Sequence, residues 1–374
     1  MDFTLNEEQR MLDDSVAKFL ANDYDFETRQ GYAASESGYS PDVWRQFAEF
    51  GWTAVPFSES DGGFGYGPLE TMLIMHHFGR GLVVEPYLAN VVLAGGALAR
   101  TGSAEQKTRW LEPLIGGELQ TALAHTEPQS RYRLADVATS AAPEGDDAFV
   151  LSGHKGVVLN GGNAELLIVS ARTSGAQSDE TGVSLFAVPA NADGVSVRRY
   201  ATVDGQTAAE ISLDGVRVSR DRLLGEADAA YPALDAVFGN AILAVCAEAV
   251  GIMRILTDKT VEYSKSRVQF GVPIGSFQAL QHRMVDMLTA CEQSYSLLLW
   301  ATMLAADGGD AARAASSLKY QIGTAGKRVG QEAVQLHGGM GVTWELDVAH
   351  YFKRLTAIGQ LFGNADHHLD RLAV

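Results

Sequence analysis

The hydrophobic pattern of this chain changes its period twice, near Leu119 and again near Tyr231. On either side of this middle stretch, apolar residues recur at the three- to four-residue spacing of amphipathic helices. Within it, short apolar runs alternate with turns of glycine, aspartate and asparagine, which is typical of strands. The pattern predicts a helical domain at 1–118, a small β-sandwich or barrel at 119–226, and a second helical domain at 227–374.

Composition narrows the class of protein. The 374 residues are enough for two or three domains with a large core. A formal net charge of −17 argues against nucleic acid or an anionic membrane as a partner. Cys246 and Cys291 stand in apolar helical surroundings, so we expect buried thiols, without a disulfide framework or a metal site. The start is unlike a signal peptide, and we expect no apolar run of membrane-spanning length, which indicates a cytoplasmic protein.

One short segment carries more chemistry than the rest of the chain. A long helix is expected to end near Ser266, and the run R-x-Q-F-G that starts at Arg267 interrupts it before a second helix begins near Gln278. Arginine offers a planar fork of donors that suits phosphate or pyrophosphate. The neighbouring Gln269 and Phe270 can bond and stack against a nucleotide. Spacing alone favours an ordinary helix–loop–helix with a surface arginine.

The full segment RVQFGVPIGSFQALQ, from Arg267 to Gln281, resembles the flavin-binding signature of the acyl-CoA dehydrogenase family. Four other stretches extend the resemblance over the whole chain: the opening MDFTLNEEQ, HTEP from His125, Lys155–Gly162, and QLHGGMGVTWE at Gln335–Glu345. The resemblance implies the acyl-CoA dehydrogenase fold. In that fold an N-terminal α-helical domain, a middle β-sandwich or barrel domain and a C-terminal four-helix-bundle domain follow one another.

The resemblance also implies a reaction. Members of the family oxidise the Cα–Cβ bond of an acyl-CoA thioester: a carboxylate removes the α proton while the β hydride passes to N5 of FAD. An electron-transferring flavoprotein then reoxidises the flavin. Such a site needs a base on one face of the acyl chain and the flavin on the other. The expected protein is therefore an FAD-dependent oxidoreductase that acts on the CH–CH group of an acyl-CoA.

Several residues that the family uses for this chemistry are replaced here. The usual glutamate base falls on Gly363, and the base position of the isovaleryl-CoA dehydrogenase type falls on Ala241. The Trp-x-Thr pair that packs on the flavin and bonds near N5 falls on Val157 and Leu159. An arginine that often contacts CoA falls on Ile242. The groups that hold the flavin ring and the substrate have become small or aliphatic.

Other family residues are intact, and the resemblance places most of them at a subunit interface. In the family tetramer the Arg-x-Gln-Phe segment and the Gln-Leu-x-Gly-Gly turn reach the ADP half of an FAD that a neighbouring subunit binds. In the loop after His125, Thr126 is implied to face the flavin, and Ser130 and Arg131 the CoA, although solvated loop arginines are as common. The implied cofactor contacts are Arg267, Gln269, Phe270, Gln278, Gln335, Gly338, Gly339 and Thr126.

The chain has lost the flavin-ring and substrate residues but keeps the interface residues. In this it resembles the smaller subunit of heteromeric acyl-CoA dehydrogenases. Those enzymes act on sterol or bile-acid side chains or, in the pimeloyl-CoA type, on dicarboxylic acyl-CoAs. On this interpretation the chain joins a larger acyl-CoA dehydrogenase subunit in a heterotetramer and completes the partner's FAD site without supplying the base. Two alternatives stay open: a self-sufficient homotetramer that uses Glu248 or Asp366 as base, or a flavin-free structural subunit. The intact Arg267 and Gln335 segments speak against the latter.

Each alternative base has a competing interpretation. Burial raises the pKa of a carboxylate, which favours Glu248 as a base, but a helix carboxylate is more often paired with a neighbouring basic residue. Asp366 is nearer in sequence to the lost glutamate, yet its side chain is short and offset. His367 and His368 suggest a metal or an acid–base dyad. Adjacent histidines on a helix point to different sides, so we expect a surface or interface role.

Overall fold

The computed structural model describes residues 4–373, so the first three residues of the opening motif lie outside it. The N-terminal part is helical, as predicted. Its α-helices are α1 Glu7–Asp23, α2 Phe26–Ala34, α3 Pro41–Glu49, α4 Pro68–Gly81, α5 Gly96–Thr101, α6 Ala104–Gln106 and α7 Glu112–Ile115, with π-helical turns at Leu88–Gly95 and Lys107–Leu111.

Between Pro68 and Arg100 the helical structure is interrupted after α4. The chain leaves α4 at Leu82, whose φ of +51° lies in the left-handed region, and it runs through Pro86 before the helix resumes. Both features are incompatible with an unbroken helix. The interruption lets the second half turn back against α8.

The middle part forms one hydrogen-bonded sheet of eight strands. The strands are β1 Thr121–Ala124, β2 Ser140–Glu144, β3 Ala148–Leu159, β4 Leu166–Arg172, β5 Val183–Pro189, β6 Val195–Ala201, β7 Thr207–Ser219 and β8 Leu223–Leu224. Their order is β6-β7-β3-β2-β4-β5-β8, and β1 pairs in parallel with β4. Strand β3 is long and continuous, with twelve residues. Four of the five residues of β2 are exposed, and its sequence carries no apolar alternation that would predict a strand.

Both faces of the sheet are buried where β4 runs. Leu166 and Ile168 belong to the large core shared with the helices, whereas Leu167 and Val169 belong to a separate core within the β domain. Successive strand residues point to opposite faces, so this alternation places the helices on one side of the sheet. The candidate site lies on that side.

The C-terminal part is built around the long helix α8, Tyr231–Ser266, which has the bounds that the sequence predicts. The other helices are α9 Gln278–Ala306, α10 Ala311–His337, α11 Asp347–Gln360 and α12 Ala365–Leu372, and a short hairpin of β9 Val268–Gln269 and β10 Val272–Pro273 follows α8. Two glycines allow α4 and α8 to cross closely. A Cβ on Gly79 or Gly251 would lie 2.0 Å from a backbone oxygen of the other helix.

Helix α8 corrects one expectation from the sequence. It contains an 18-residue window of mean hydropathy 1.9, so the chain does have an apolar run long enough to cross a membrane. However, 83% of that window is buried inside the fold, where α8 packs against α4, α9 and α10. The helix is apolar all round because it is the central core helix. Cys246 and Cys291 lie on α8 and α9 as buried free thiols, as predicted.

Candidate functional site

A cavity of about 300 Å³ opens between the β domain and the C-terminal helices. Its walls come from the loop after β1, the end of β3, the N-terminal turns of α8, and the turn between α11 and α12. The lining is largely apolar, with a few polar groups, as in sites that bind small molecules. Its apolar residues include Leu93, Leu123, Leu159, Phe238, Ile242 and Phe362.

Gly363 occupies the usual base position, and its geometry accommodates no side chain. Its φ of +110° lies in the region that favours glycine. A Cβ there would lie 2.6 Å from both Cδ2 of His367 and Nε2 of His368. Its carbonyl accepts a 2.7 Å hydrogen bond from the buried Nζ of Lys319, which also donates to the Ile358 carbonyl. A glycine at this position is therefore part of how this turn folds.

The surface role expected for the two adjacent histidines is wrong for His368. This ring is fully buried, and its Nε2 lies 3.0 Å from the carbonyl oxygen of Phe362. Burial lowers the pKa of His368 to about 4. His367 instead lines the cavity. His368 is buried because the turn at Gly363 folds over it.

Replacing Gly363 with alanine is expected to lower the free energy of unfolding by about 2 to 4 kcal/mol, because the new methyl group meets two histidine rings at a positive φ. Gly359→Ala in α11 is the matched control. A Cβ there meets nothing within 4 Å, so helix propensity predicts a gain of up to about 1 kcal/mol. Urea unfolding followed by circular dichroism compares the two. Equal stability of G363A and the unmodified chain would refute the steric account.

The second base position carries no carboxylate either. Ala241 is buried in α8, and the next residue, Ile242, lines the cavity. Among the described residues, the one carboxylate in the cavity lining is Asp235, which the sequence analysis did not single out. It shares a face of α8 with Phe238, Gly239 and Ile242, and this i, i+3, i+4, i+7 spacing is the signal that could have found it.

Glu248 is not placed to act as a base, which corrects its status as a candidate. Its Oε1 and Oε2 accept hydrogen bonds of 2.5 and 2.7 Å from Nε and Nη2 of Arg354. Nη1 of Arg354 donates to Oδ2 of Asp204 at 2.7 Å, and all three side chains are buried. Glu248 lies outside the cavity lining, as does the exposed Asp366. Glu248 is therefore a helix carboxylate paired with a basic residue, which is the alternative to a catalytic base that the sequence analysis described.

A buried polar network holds the loop after β1 beneath the cavity. Nζ of Lys155 donates to Oε1 of Glu127 at 2.6 Å and to Oγ of Ser170 at 3.1 Å. Glu127 also accepts the backbone N–H groups of Ala138 and Thr139. Burial raises the pKa of Glu127, but the Lys155 charge and the hydrogen bonds outweigh it and hold that pKa at about 2. An ionised Glu127 therefore joins the two ends of the loop.

The structure brings Thr126, Ser130 and Arg131 together at the cavity wall. The Thr126 carbonyl accepts a hydrogen bond from the Gly156 N–H at 2.9 Å, which fixes the loop to β3. The Ser130 hydroxyl donates to the Glu127 carbonyl at 2.9 Å, so its proton is already engaged. Arg131 has no ion-pair partner among residues 4–373. Their contacts with FAD or CoA stay predictions.

The positions of the family's Trp-x-Thr pair lie at an irregularity of β3. The register between β3 and β7 shifts between Lys155 and Val158, and Val157 has a φ of +52°. A positive φ is rare for a β-branched residue. Val157 is 49% exposed and lines the cavity together with Leu159. Neither side chain can stack on a flavin ring as tryptophan does or donate a hydrogen bond to it.

The Arg267 segment, whose contact with a nucleotide stays a prediction, lies at the end of α8 opposite to the cavity. The two residues at the tip of the β9–β10 hairpin, Phe270 and Gly271, have φ of +56° and +80°, as in a tight hairpin turn. The Phe270 ring is 91% exposed, and Gln269 and Gln278 are exposed as well. Within the described part of the chain, Arg267 makes no ion pair. An exposed ring next to a free guanidinium is available to a ligand or a partner subunit.

The second retained segment is held beside the first. The Tyr263 ring, near the end of α8, stacks on His337 with 4.4 Å between ring centroids. His337 ends α10, so Gln335 and the turn at Gly338 and Gly339 lie exposed next to the hairpin. A Cβ on either glycine would meet nothing within 4 Å. The backbone of this turn is open to close approach by a ligand.

The cavity and the Arg267 segment lie at separate places within one chain. The cavity contacts α8 no further along than Ile242, whereas the segment begins after Ser266. At 1.5 Å per residue these points are about 36 Å apart along the helix, more than the roughly 30 Å diameter of a small domain. The Arg267 segment therefore lies far from the chain's own cavity.

Family models cover almost all of the chain. The acyl-CoA dehydrogenase N-terminal domain matches residues 6–118, the middle domain residues 122–216, and the C-terminal domain residues 233–373. The chain belongs to the acyl-CoA dehydrogenase family. The fold class and the kind of enzyme, an oxidoreductase that acts on acyl-CoA, are confirmed at the level of the family.

Individual relatives match over nearly the whole length. The acyl-CoA dehydrogenase FadE12 of Mycobacterium tuberculosis is 30% identical over 352 residues, which are 93% of this chain and 90% of that protein. A variant of the Tcur3481-Tcur3483 steroid ACAD is 30% identical with a TM-score of 0.88, covering 99% of this chain and 98% of the other. The ChsE4-ChsE5 complex from Mycobacterium tuberculosis is 28% identical with a TM-score of 0.89, covering 100% and 98%.

Proposed function

We propose that this chain is the base-lacking subunit of an FAD-dependent acyl-CoA dehydrogenase and that it completes the FAD site of a partner subunit. The observation that carries the proposal is the separation of two half-sites within one chain. The exposed Arg267 segment keeps the residues for the ADP half of FAD, whereas the distant cavity has no carboxylate at Gly363. A chain of this kind supplies one half of a shared site, and its partner supplies the other.

FAD fits the Arg267 segment better than it fits the chain's own cavity. The free guanidinium of Arg267 offers a bidentate phosphate contact, and the Phe270 ring offers a stacking surface. The open backbone at Gly338 and Gly339 admits a close approach. In the cavity, a flavin ring would instead meet aliphatic side chains where the family has tryptophan and threonine.

The division of labour follows from these contacts. When bound at the interface, FAD supplies the acceptor for the hydride that leaves the β carbon of the acyl group. This chain holds the ADP half of FAD. Arg267 neutralises phosphate charge, and the Tyr263–His337 stack fixes the position of the Gln335 segment relative to the end of α8. Removing the α proton is left to a carboxylate of the partner subunit.

The relatives support a substrate class and a kind of partner. One solved neighbour is named as a steroid ACAD and another as a complex of two proteins. We therefore propose a heterotetramer with a larger acyl-CoA dehydrogenase subunit, an acyl-CoA with a bulky sterol-type acyl group as substrate, and an electron-transferring flavoprotein as electron acceptor. A reducing cytoplasm suits the two free thiols, Cys246 and Cys291.

The two alternatives have lost support. A self-sufficient homotetramer needs a base, yet Glu248 is held by Arg354, and Asp366 is exposed outside the cavity lining. A flavin-free structural subunit has no use for an exposed Arg267 and an open glycine turn.

The chain purified alone is expected to show no desaturation of octanoyl-CoA or of a steroid side-chain acyl-CoA, even with added FAD and a dye as electron acceptor. Turnover is expected after co-expression with a longer family member, encoded nearby, that carries the glutamate base. Changing that glutamate to glutamine in the partner should abolish turnover, because in this proposal the partner's glutamate alone removes the α proton. Turnover by the isolated chain would contradict the proposal.

A further inference from the structure

We propose that the cavity of this chain is a flavin-free binding site for an apolar acyl ligand, whose carbonyl or carboxylate oxygen accepts a hydrogen bond from Nε2–H of His125. This proposal rests on the proposed function, because a flavin ring in the cavity would occupy the same space. The observation that carries it is an unpartnered polar atom on a buried side chain.

His125 is only 4% exposed, and what remains accessible of it lines the cavity. Its Nδ1 lies 2.9 Å from Oγ of Ser170, and its ring meets Phe238 edge-on at 5.3 Å. Nε2 makes no hydrogen bond with any residue that the structure describes. Nε2 of His125 is not a fully inaccessible atom, so part of its surface faces open space, which here is the cavity.

The network beneath His125 determines which nitrogen carries the proton. The Lys155 ammonium donates to Oγ of Ser170 at 3.1 Å, which leaves the Ser170 proton to be donated to Nδ1 of His125. The tautomer that gives every donor in this network a partner therefore carries the imidazole proton on Nε2. Burial and the Lys155 charge lower the pKa of His125 to about 3, so the ring is neutral at physiological pH. The cavity thus presents one fixed N–H donor.

The surroundings of this donor define the ligand. Leu93, Leu123 and Phe238 form apolar walls, and an N–H group left unpaired in such surroundings loses a hydrogen bond that a carbonyl oxygen would restore. Arg131 and Arg371 also line the cavity and have no ion-pair partner within residues 4–373, so they favour an anionic group.

Two sources share this chemistry: an acyl-CoA thioester, whose phosphates reach the arginines, and a free acyl carboxylate. Because Gly363 offers no base, the cavity would hold either ligand without oxidising it. A heteromer built from such chains would then contain acyl-binding sites of two kinds, one catalytic and one not.

Calorimetric titration of the full-length chain with octanoyl-CoA and with octanoate tests the proposal. We expect saturable binding that His125→Phe weakens about tenfold or more, because the buried N–H donor to the carbonyl is lost. His125→Gln keeps an N–H donor and should bind within about threefold of the unmodified chain. His154→Phe is the control, since that exposed histidine pairs with Glu210 outside the cavity. Unchanged affinity of H125F, or no saturable binding of either probe, would overturn the proposal.

Two further measurements show which of the two ligands is the natural one, and whether a negative result counts against the acyl site or against the proposed function. Arg371→Ala should weaken octanoyl-CoA more than octanoate if the CoA ester is the natural ligand, and should affect both equally if the free acid is. The flavin absorbance of the same samples distinguishes this proposal from the proposed function. Bound flavin in the isolated chain would contradict the proposed function, whereas a flavin-free chain that binds neither probe would contradict only the acyl site.

Discussion

Replacing Arg354 with methionine is expected to lower the free energy of unfolding by about 3 to 5 kcal/mol, a large fraction of the roughly 5 to 15 kcal/mol of an ordinary protein. The Arg354 guanidinium donates to both oxygens of Glu248 at 2.5 and 2.7 Å and to Asp204 at 2.7 Å. Methionine fills much of the same volume, but it leaves two carboxylates buried without a cation. The destabilisation therefore comes mainly from buried carboxylates that have lost their ion-pair partner and only partly from lost packing.

The position of this cluster explains why the effect should be global. Arg354 lies on α11, Glu248 on α8, and Asp204 between β6 and β7, so the contacts tie the β domain to the C-terminal helices. Burial raises the pKa of Asp204, but the Arg354 charge outweighs it and lowers that pKa below 3.8. A lowered carboxylate pKa means that this stabilisation is present above about pH 3.8 and is lost as the pH falls through the folded-state value.

Arg328→Met is the matched control for this substitution. Arg328 pairs with Asp286 at 2.6 Å, but both side chains are more than half exposed, so its loss should change stability by less than about 1 kcal/mol. Urea unfolding followed by circular dichroism measures both variants. If R354M unfolds within 1 kcal/mol of the R328M variant, the buried cluster is not the structural link described here.

Arg267→Ala is expected to strip FAD from the complex of this chain with its partner while leaving the fold and the assembly intact. The guanidinium is exposed and has no ion-pair partner among the described residues, so its removal leaves no stranded charge. Charge-assisted hydrogen bonds to phosphate contribute about 1.5 to 3 kcal/mol, which corresponds to FAD binding about 10- to 100-fold more weakly. Flavin absorbance per complex after gel filtration gives the loss directly.

Arg45→Ala serves as the control for the Arg267 variant. Arg45 is an exposed arginine of α3 whose 3.0 Å pair with Asp42 lies within that helix, far in sequence from the retained segments. Its removal should leave the flavin content unchanged. Full flavin occupancy in the R267A complex would show that the segment does not contact FAD.

The order of domains could be predicted from the sequence because it rests on local periodicity, which survives without knowledge of tertiary contacts. The Arg267 segment could be located in the sequence because its residues are contiguous, while its contact with FAD stays a prediction. The role of Glu248 could not be predicted from the sequence, because its partner Arg354 lies 106 residues away and only the folded chain brings them together. The same applies to His125, whose partner Ser170 is 45 residues distant.

Gly363 shows a different limit of prediction. Counting along the sequence placed the family's usual base position at Gly363, but it could not tell whether the fold requires a glycine there. The positive φ and the two histidine rings that crowd the missing Cβ become visible only in three dimensions. A base therefore cannot be restored at this position without disturbing the turn.

The most direct test of the shared site is the amount of flavin per chain, measured by absorbance on this protein purified alone and then co-expressed with its larger partner. The half-site account predicts little or no flavin in the isolated chain and about one FAD per pair of unlike subunits in the complex. Stoichiometric FAD in the isolated chain would contradict it, because the chain would then build whole cofactor sites by itself.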